Sequence, residues 1–137
     1  MRTGSVPRPA TSAHLYLHEA GGRFGRAIGE NQSIQHPLAE SWMELEAANL
    51  MVWRVAALYD AGKACGAEAN AAKYLAAEAA FKACDRAVRT HGGMGYAAEF
   101  DVERYLREII IPRIAPVSRE MILNYVGERV LGLPKSY

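Results

Sequence analysis

Residues 88–108 read VRTHGGMGYAAEFDVERYLRE, three glycines within four positions followed at once by an acidic, amphipathic run. Glycine costs roughly 1 kcal/mol per residue in a helix interior relative to alanine, but it admits left-handed and close-approach backbone. His91, Gly92, Gly93, Met94 and Gly95 therefore break the chain between two helices. Most such breaks are tight helix-to-helix corners. The sharper alternative is backbone laid against a ligand or a second subunit, and the spacing alone leaves both open.

On either side of the break the pattern is helical. From Pro37 to about Gly62, the apolar residues Leu38, Trp42, Leu45, Val52, Ala56 and Tyr59 recur at spacings of three, four and seven, which predicts one buried stripe, with Pro37 in the first turn. From Ala64 to Val88, alanine fills 11 of 25 positions, and Tyr74, Ala77, Phe81, Cys84 and Val88 trace a second stripe. A third helix is predicted from Asp101, as N-cap, to about Ile111, with Glu103 and Arg107 paired at i,i+4 and Pro112 ending it. A fourth begins near Ser118, carries Met121, Ile122, Tyr125, Val126 and Val130, and stops at Gly132 and Pro134. No alternating strand pattern stands out. The expected fold is all-α, an antiparallel up-down bundle of the four-helix type, its spine two helices each roughly 37 Å long at 1.5 Å per residue.

The composition excludes several functions. A chain of 137 residues forms one domain with a real core, removing roughly 68% of its unfolded surface from water. Lys and Arg total 16 against 15 Asp and Glu, with no basic arm, so nothing points to nucleic acid. Cys65 and Cys84 lie in alanine-rich helical sequence and are read as small packing residues rather than a disulfide, which fits a cytoplasmic location. The N-terminus lacks the apolar core of a secretory signal, and no run is long and apolar enough to span a membrane. A di-iron bundle needs Glu-x-x-His on two helices, and the sequence has none. His14 and His18 are four apart, but no Cys, Asp or Glu set completes a zinc site, so no metal is assigned. A serine nucleophile elbow and a phosphate-cradling G-x-x-x-x-G-K are also missing.

Four segments in register carry a resemblance: RFGRAIGENQSIQHPLAE at 23–40, the long helices that follow, RTHGGMGYAAEFDVERYLRE at 89–108, and the closing SREMILNYVGERVLG. Together, over about residues 23–133, they resemble the C-terminal helical domain of the acyl-CoA dehydrogenase family. The elements are an F-G, an H/N-Q seven residues later, a Q-x-x-G-G and an E-R-x-x-R-D, separated by helices of this length.

The resemblance implies an oxidation of acyl-CoA thioesters in which a carboxylate takes the α proton and FAD accepts hydride from the β carbon. An electron-transferring flavoprotein is the usual acceptor. It further implies homo-oligomers in which this bundle reaches over to FAD held mainly by a neighbouring subunit. Gly92 and Gly93 would then admit backbone to the adenosine and pyrophosphate portion. Asn31 and Gln32 match an amide pair suited to the dinucleotide, Phe24 matches an aromatic packed on the cofactor, and Ser118 matches a hydroxyl after the catalytic loop. Taken one at a time, these residues also read as a core aromatic, two loop amides and an N-cap.

The departures from the family bear on function. Gly21 stands where the family usually has Arg, Arg89 replaces the Gln of Q-x-x-G-G as a cofactor contact, and Glu108 replaces Asp. Pro116 falls where many members carry the catalytic Glu, so no catalytic residue is assigned. The isovaleryl-CoA dehydrogenase branch places its base on an earlier helix, which residues 1–22 do not resemble. That segment is set apart as irregular or atypical from the helical domain at 23–137. The family also needs an N-terminal helical domain and a β domain, which 137 residues cannot contain, so a fragment of a longer enzyme, inactive in isolation, is expected. The alternative is a non-catalytic helical interaction protein derived from the same family.

Overall fold

The computed structural model describes residues 27–136, and among them every regular element is helical. The principal helices are α1 (Gln32–Asp60), α2 (Gly66–His91), α3 (Val102–Glu108), α4 (Ile111–Ile114) and α5 (Arg119–Tyr125). Short 3-10 turns lie at Ile28–Glu30, Gly92–Tyr96 and Ala98–Phe100, and a π-helical turn at Val126–Val130 follows α5. No helix among the described residues is long and apolar enough to cross a membrane.

The described residues divide into two compact units, one of residues 27–42 and 82–108, the other of residues 43–81 and 109–136. In the first, Arg86 near the end of α2 donates to Glu40 and, at 2.9 Å, to the Ser41 hydroxyl near the start of α1. In the second, Arg54 of late α1 lies 3.7 Å from Glu68 of early α2. Each unit thus pairs α1 and α2 antiparallel. The core of the first unit is Ser41, Cys84, Ala87, His91, Gly95 and Val102; that of the second is Ala48, Ala72, Ala77, Ala79 and Ile122. Alanine dominates because small side chains let two helix backbones approach closely while keeping the best helix propensity. Cys65 and Cys84 are free thiols, and burial pushes the Cys84 thiol up from its ordinary pKa.

The buried stripe of α1 differs from the one predicted. Trp42, Val52 and Tyr59 are 58%, 46% and 76% exposed, and Ala56 is exposed as well. The inward residues are Ile34, Leu38, Ser41, Leu45, Ala48, Met51, Val55 and Leu58, spaced by three or four throughout. A close seam against an alanine-rich helix favours small side chains at Ser41 and Ala48, and it turns the largest apolar groups outward. Ser41 tolerates burial because its hydroxyl donates to the Pro37 carbonyl at 2.8 Å and accepts from Arg86.

Helix boundaries differ too. α1 starts five residues before Pro37, since the Asn31 carbonyl accepts from the amides of Ile34 and Gln35 at 2.9 and 3.0 Å and nucleates the turn there. Pro37 is thus the sixth residue of the helix, and its missing N–H forgoes the bond to the Ser33 carbonyl one turn earlier. Pro112 does not end α3, which stops at Glu108; it sits in the first turn of α4, where proline's fixed φ is favourable. Asp101 precedes α3 in a left-handed conformation, φ 58°, and its carboxylate pairs with Arg104 at 3.2 Å. The Glu103–Arg107 pair forms at 2.6 Å as expected from its spacing.

The turn after α2 rests on one glycine. A Cβ on Gly95 would lie 3.0 Å from the Val88 Cα and closer still to the Val88 carbonyl oxygen, whereas one on Gly93 would meet nothing within 4 Å. Gly95→Ala is therefore expected to destabilise the chain by about 1–3 kcal/mol through overpacking, and Gly93→Ala to stay within about 0.5 kcal/mol of the parent. Chemical denaturation followed by circular dichroism measures both, and equal stabilities would contradict the packing assigned to Gly95.

Candidate functional site

Of the residues singled out in the sequence, Asn31, Gln32, Arg89, Gly92 and Gly93 belong to the first unit and Ser118 to the second; Phe24 lies outside the described residues. The glycine corner begins where α2 ends at His91. Gly92 takes φ +59°, a conformation that L side chains rarely adopt, and so redirects the chain into the turn Gly92–Tyr96. Gly92 and Gly93 are exposed, and a Cβ at either would project into open space. Gly95, buried against Val88, is the glycine the fold itself requires. The sequence singles out Gly92 and Gly93 and gives Gly95 no separate role, since its packing partner Val88 is visible only in the folded turn.

The side chains around the corner are ordered by local bonds. His91 is 5% exposed, its Nδ1 lies 2.8 Å from the Ala87 carbonyl oxygen, and the Phe100 ring meets it edge-on at 6.1 Å between centroids. Thr90 donates its hydroxyl to the Arg86 carbonyl at 2.7 Å. Arg89 is exposed, and its Nε pairs with Asp85 one turn back at 2.9 Å, a contact that leaves the guanidinium at the surface. Beyond the turn, Arg104 spans Glu108 at 3.1 Å and Asp101 at 3.2 Å. Those two carboxylates, Glu108 first, push its pKa further above the usual arginine value.

Asn31 is half-buried and its amide nitrogen donates to the Ile28 carbonyl at 3.0 Å, closing the turn that leads into α1. Gln35, one turn on, donates to the Gly29 carbonyl at 2.7 Å and holds the same turn from the other side. Gln32, the first residue of α1, is exposed. Ser118 caps α5: its backbone is extended at φ −69° and ψ 158°, and its hydroxyl accepts from the Met121 amide at 3.3 Å.

In the second unit a network unmarked in the sequence reading surrounds Glu78. Arg113 reaches it bidentately at 2.9 and 3.4 Å, and Arg119 approaches to 4.0 Å. Helical spacing offers Lys82, four residues on, as the partner of Glu78, so nothing local announces a partner 35 residues away. The same unit holds an open cleft of about 590 Å3 between Asn70, Val117, Met121, Tyr125, Glu128, Arg129 and Lys135. No group of three or more His, Cys, Asp or Glu suited to a metal occurs among the described residues.

The family model described as "Acyl-CoA dehydrogenase, C-terminal domain" matches residues 4–131. The chain belongs to the acyl-CoA dehydrogenase family. The matched span takes in most of residues 1–22. The acyl-CoA dehydrogenase FadE12 of Mycobacterium tuberculosis is 48% identical over 112 residues, which are 80% of this chain and 29% of that protein. Among solved structures, butyryl-CoA dehydrogenase from Megasphaera elsdenii superposes with TM-score 0.86 at 31% identity, covering 90% of this chain and 32% of that one. PigA, solved as an FAD complex, superposes with TM-score 0.82 at 28% identity over 91% of this chain and 33% of its own. The chain thus spans about a third or less of the acyl-CoA dehydrogenase relatives it matches.

Ser118→Ala is expected to lower stability by roughly 0.5–2 kcal/mol through loss of the α5 N-cap, and Ser118→Asp to retain most of it. Urea titrations of the three proteins measure this. An unchanged midpoint in the alanine variant would remove the capping role.

Proposed function

We propose that the chain serves as the C-terminal helical domain of an FAD-dependent acyl-CoA dehydrogenase, supplying cofactor contacts and a subunit interface rather than the catalytic base. The observation that carries this reading is the glycine corner in a chain of this family: Gly92 and Gly93 present bare, exposed backbone with open space where side chains would stand. That surface admits a dinucleotide at close range, and the exposed Arg89 guanidinium stands on the turn before it as a donor for phosphate. Gln32 and Asn31 would add amide contacts, Phe24 an aromatic one and Ser118 a hydroxyl. FAD, when bound, supplies the hydride acceptor for α,β-dehydrogenation of an acyl-CoA thioester. An electron-transferring flavoprotein is the partner that would reoxidise it.

The base must lie elsewhere in the complete enzyme. Proton abstraction α to a thioester requires a carboxylate within hydrogen-bond reach of the carbon acid, and Pro116 offers none. The subunit interface is assigned to the exposed apolar side chains of α1 in the second unit, where Leu50, Trp53 and Tyr59 are all more than half exposed. Apolar side chains of this size on one helix are covered by association more often than left in water.

Supplied with FAD, a panel of acyl-CoA thioesters and an artificial electron acceptor, the chain alone is expected to show no turnover above a no-protein control, and Pro116→Glu to leave that result unchanged. Turnover by the unsubstituted chain would overturn the assignment of position 116. Combined with a polypeptide carrying the remaining two thirds of a related dehydrogenase, the chain is expected to retain flavin through gel filtration. Gly93→Val is expected to weaken that retention roughly tenfold, the factor that corresponds to 1.4 kcal/mol. A colourless, stable assembly indifferent to FAD would favour the stand-alone interaction protein instead.

Self-association is tested by sedimentation equilibrium. The chain is expected to form dimers or larger oligomers, and Trp53→Glu to shift it toward monomer; a wild-type monomer at high concentration would count against the interface.

A further inference from the structure

In the second unit one carboxylate on α2 holds both flanks of the segment that contains Pro116 and Ser118. Arg113 donates Nε to Glu78 Oε1 at 2.9 Å and Nη2 to Oε2 at 3.4 Å, while Arg119 Nε lies 4.0 Å from the same Oε1. The Arg113 guanidinium stacks 4.3 Å above the Phe81 ring, and that of Arg119 stands 5.7 Å from the Tyr74 ring. The Lys73 ammonium donates to the Pro112 carbonyl. Lys73, Tyr74, Glu78 and Phe81 all belong to α2, so a single helix face binds residues 112, 113 and 119.

The cluster is a brace rather than a ligand site. The gap among these side chains has no room for a water molecule, and the Glu78 and Arg113 side chains are only 19% and 26% exposed. One carboxylate faces two guanidinium groups, and its charge offsets the repulsion between Arg113 and Arg119. Shielded, bidentate and flanked by aromatic faces, this pairing is of the kind whose one-sided removal is costly.

We propose that Glu78 is a positioning residue, which fixes residues 113–119 as one rigid turn and thereby sets where Ser118 meets the flavin. This inference rests on the dehydrogenase reading given above for its functional half, while the fixing of the turn stands on this chain alone. Neutralising Glu78 without changing its shape leaves two adjacent cations unmatched, and the turn they flank loses its anchor to α2.

Hydrogen exchange measured on the full chain tests the first half. Glu78→Gln is expected to speed exchange of the amides at 111–121 about tenfold or more, with residues 32–42 unchanged and Glu78→Asp intermediate, because local opening follows local stability. Equal exchange in Gln and parent, or a rise spread evenly over both units, would overturn the proposal. The assembly reconstituted with the remaining two thirds of a related dehydrogenase tests the second half. There Glu78→Gln is expected to shift the flavin absorbance spectrum and to weaken flavin retention roughly tenfold, and Glu78→Asp to recover much of both. Looser amides with an unaltered flavin spectrum and retention would overturn the positioning role. An assembly in which even the parent chain retains no flavin would instead refute the dehydrogenase reading, leaving the exchange data to decide the brace.

Discussion

The first unit depends on a contact that only a hydrogen atom permits. Gly95 folds back against the Val88 carbonyl, so the chain leaving α2 turns within five residues and returns along the helix it has just left. That return places Phe100 over the buried His91 ring and brings Val102, 2% exposed, into the core at the start of α3. The left-handed Gly92 makes the reversal sterically cheap. Gly92 and Gly93 are consequently left on the outside of the bend, and their bare backbone is a by-product of the tight packing at Gly95. Architecture and candidate binding surface are two sides of one turn.

The second unit is organised differently. Its hydrophobic interior is mostly alanine, with Ile122 at 1% exposed as its largest buried side chain, and much of its tertiary definition comes from charge. Glu78, Arg113, Arg119 and Lys73 link the middle of α2 to α4 and to the start of α5 through ion pairs, a hydrogen bond to the Pro112 carbonyl and stacking on Phe81 and Tyr74. Side chains as small as alanine bury little area each, so directional contacts gain relative weight.

Much of the fold was legible because local rules govern it. Alanine content marked α2, the glycines marked its end, Ser118 marked the start of α5, and Glu103 with Arg107 obeyed helical spacing. The inward face of α1 was misread because hydrophobicity ranks Trp42 and Tyr59 above Ser41 and Ala48, whereas the seam selects for size. Pro112 was misread because proline was treated as a stop, although it suits the first turn of a helix, and Pro37, expected in the first turn, lies at the sixth residue because the turn is nucleated earlier at Asn31. The family resemblance came from motif register, which survives even where single residues carry ambiguous roles. Asn31 and Ser118 show that ambiguity directly, since both engage the local backbone as turn and cap. Glu78 escaped because a partner 35 residues distant leaves no periodic trace.

The outward aromatics have an optical consequence. Both tryptophans of the chain, Trp42 and Trp53, are on α1 and are 58% and 67% exposed, while the buried residues of both units contain no tryptophan. The principal ultraviolet fluorophores therefore sit in water when the chain stands alone. Their emission colour reports what rests on that helix more directly than whether the interior is packed, and the interior of alanine, cysteine, valine and isoleucine is nearly silent at those wavelengths.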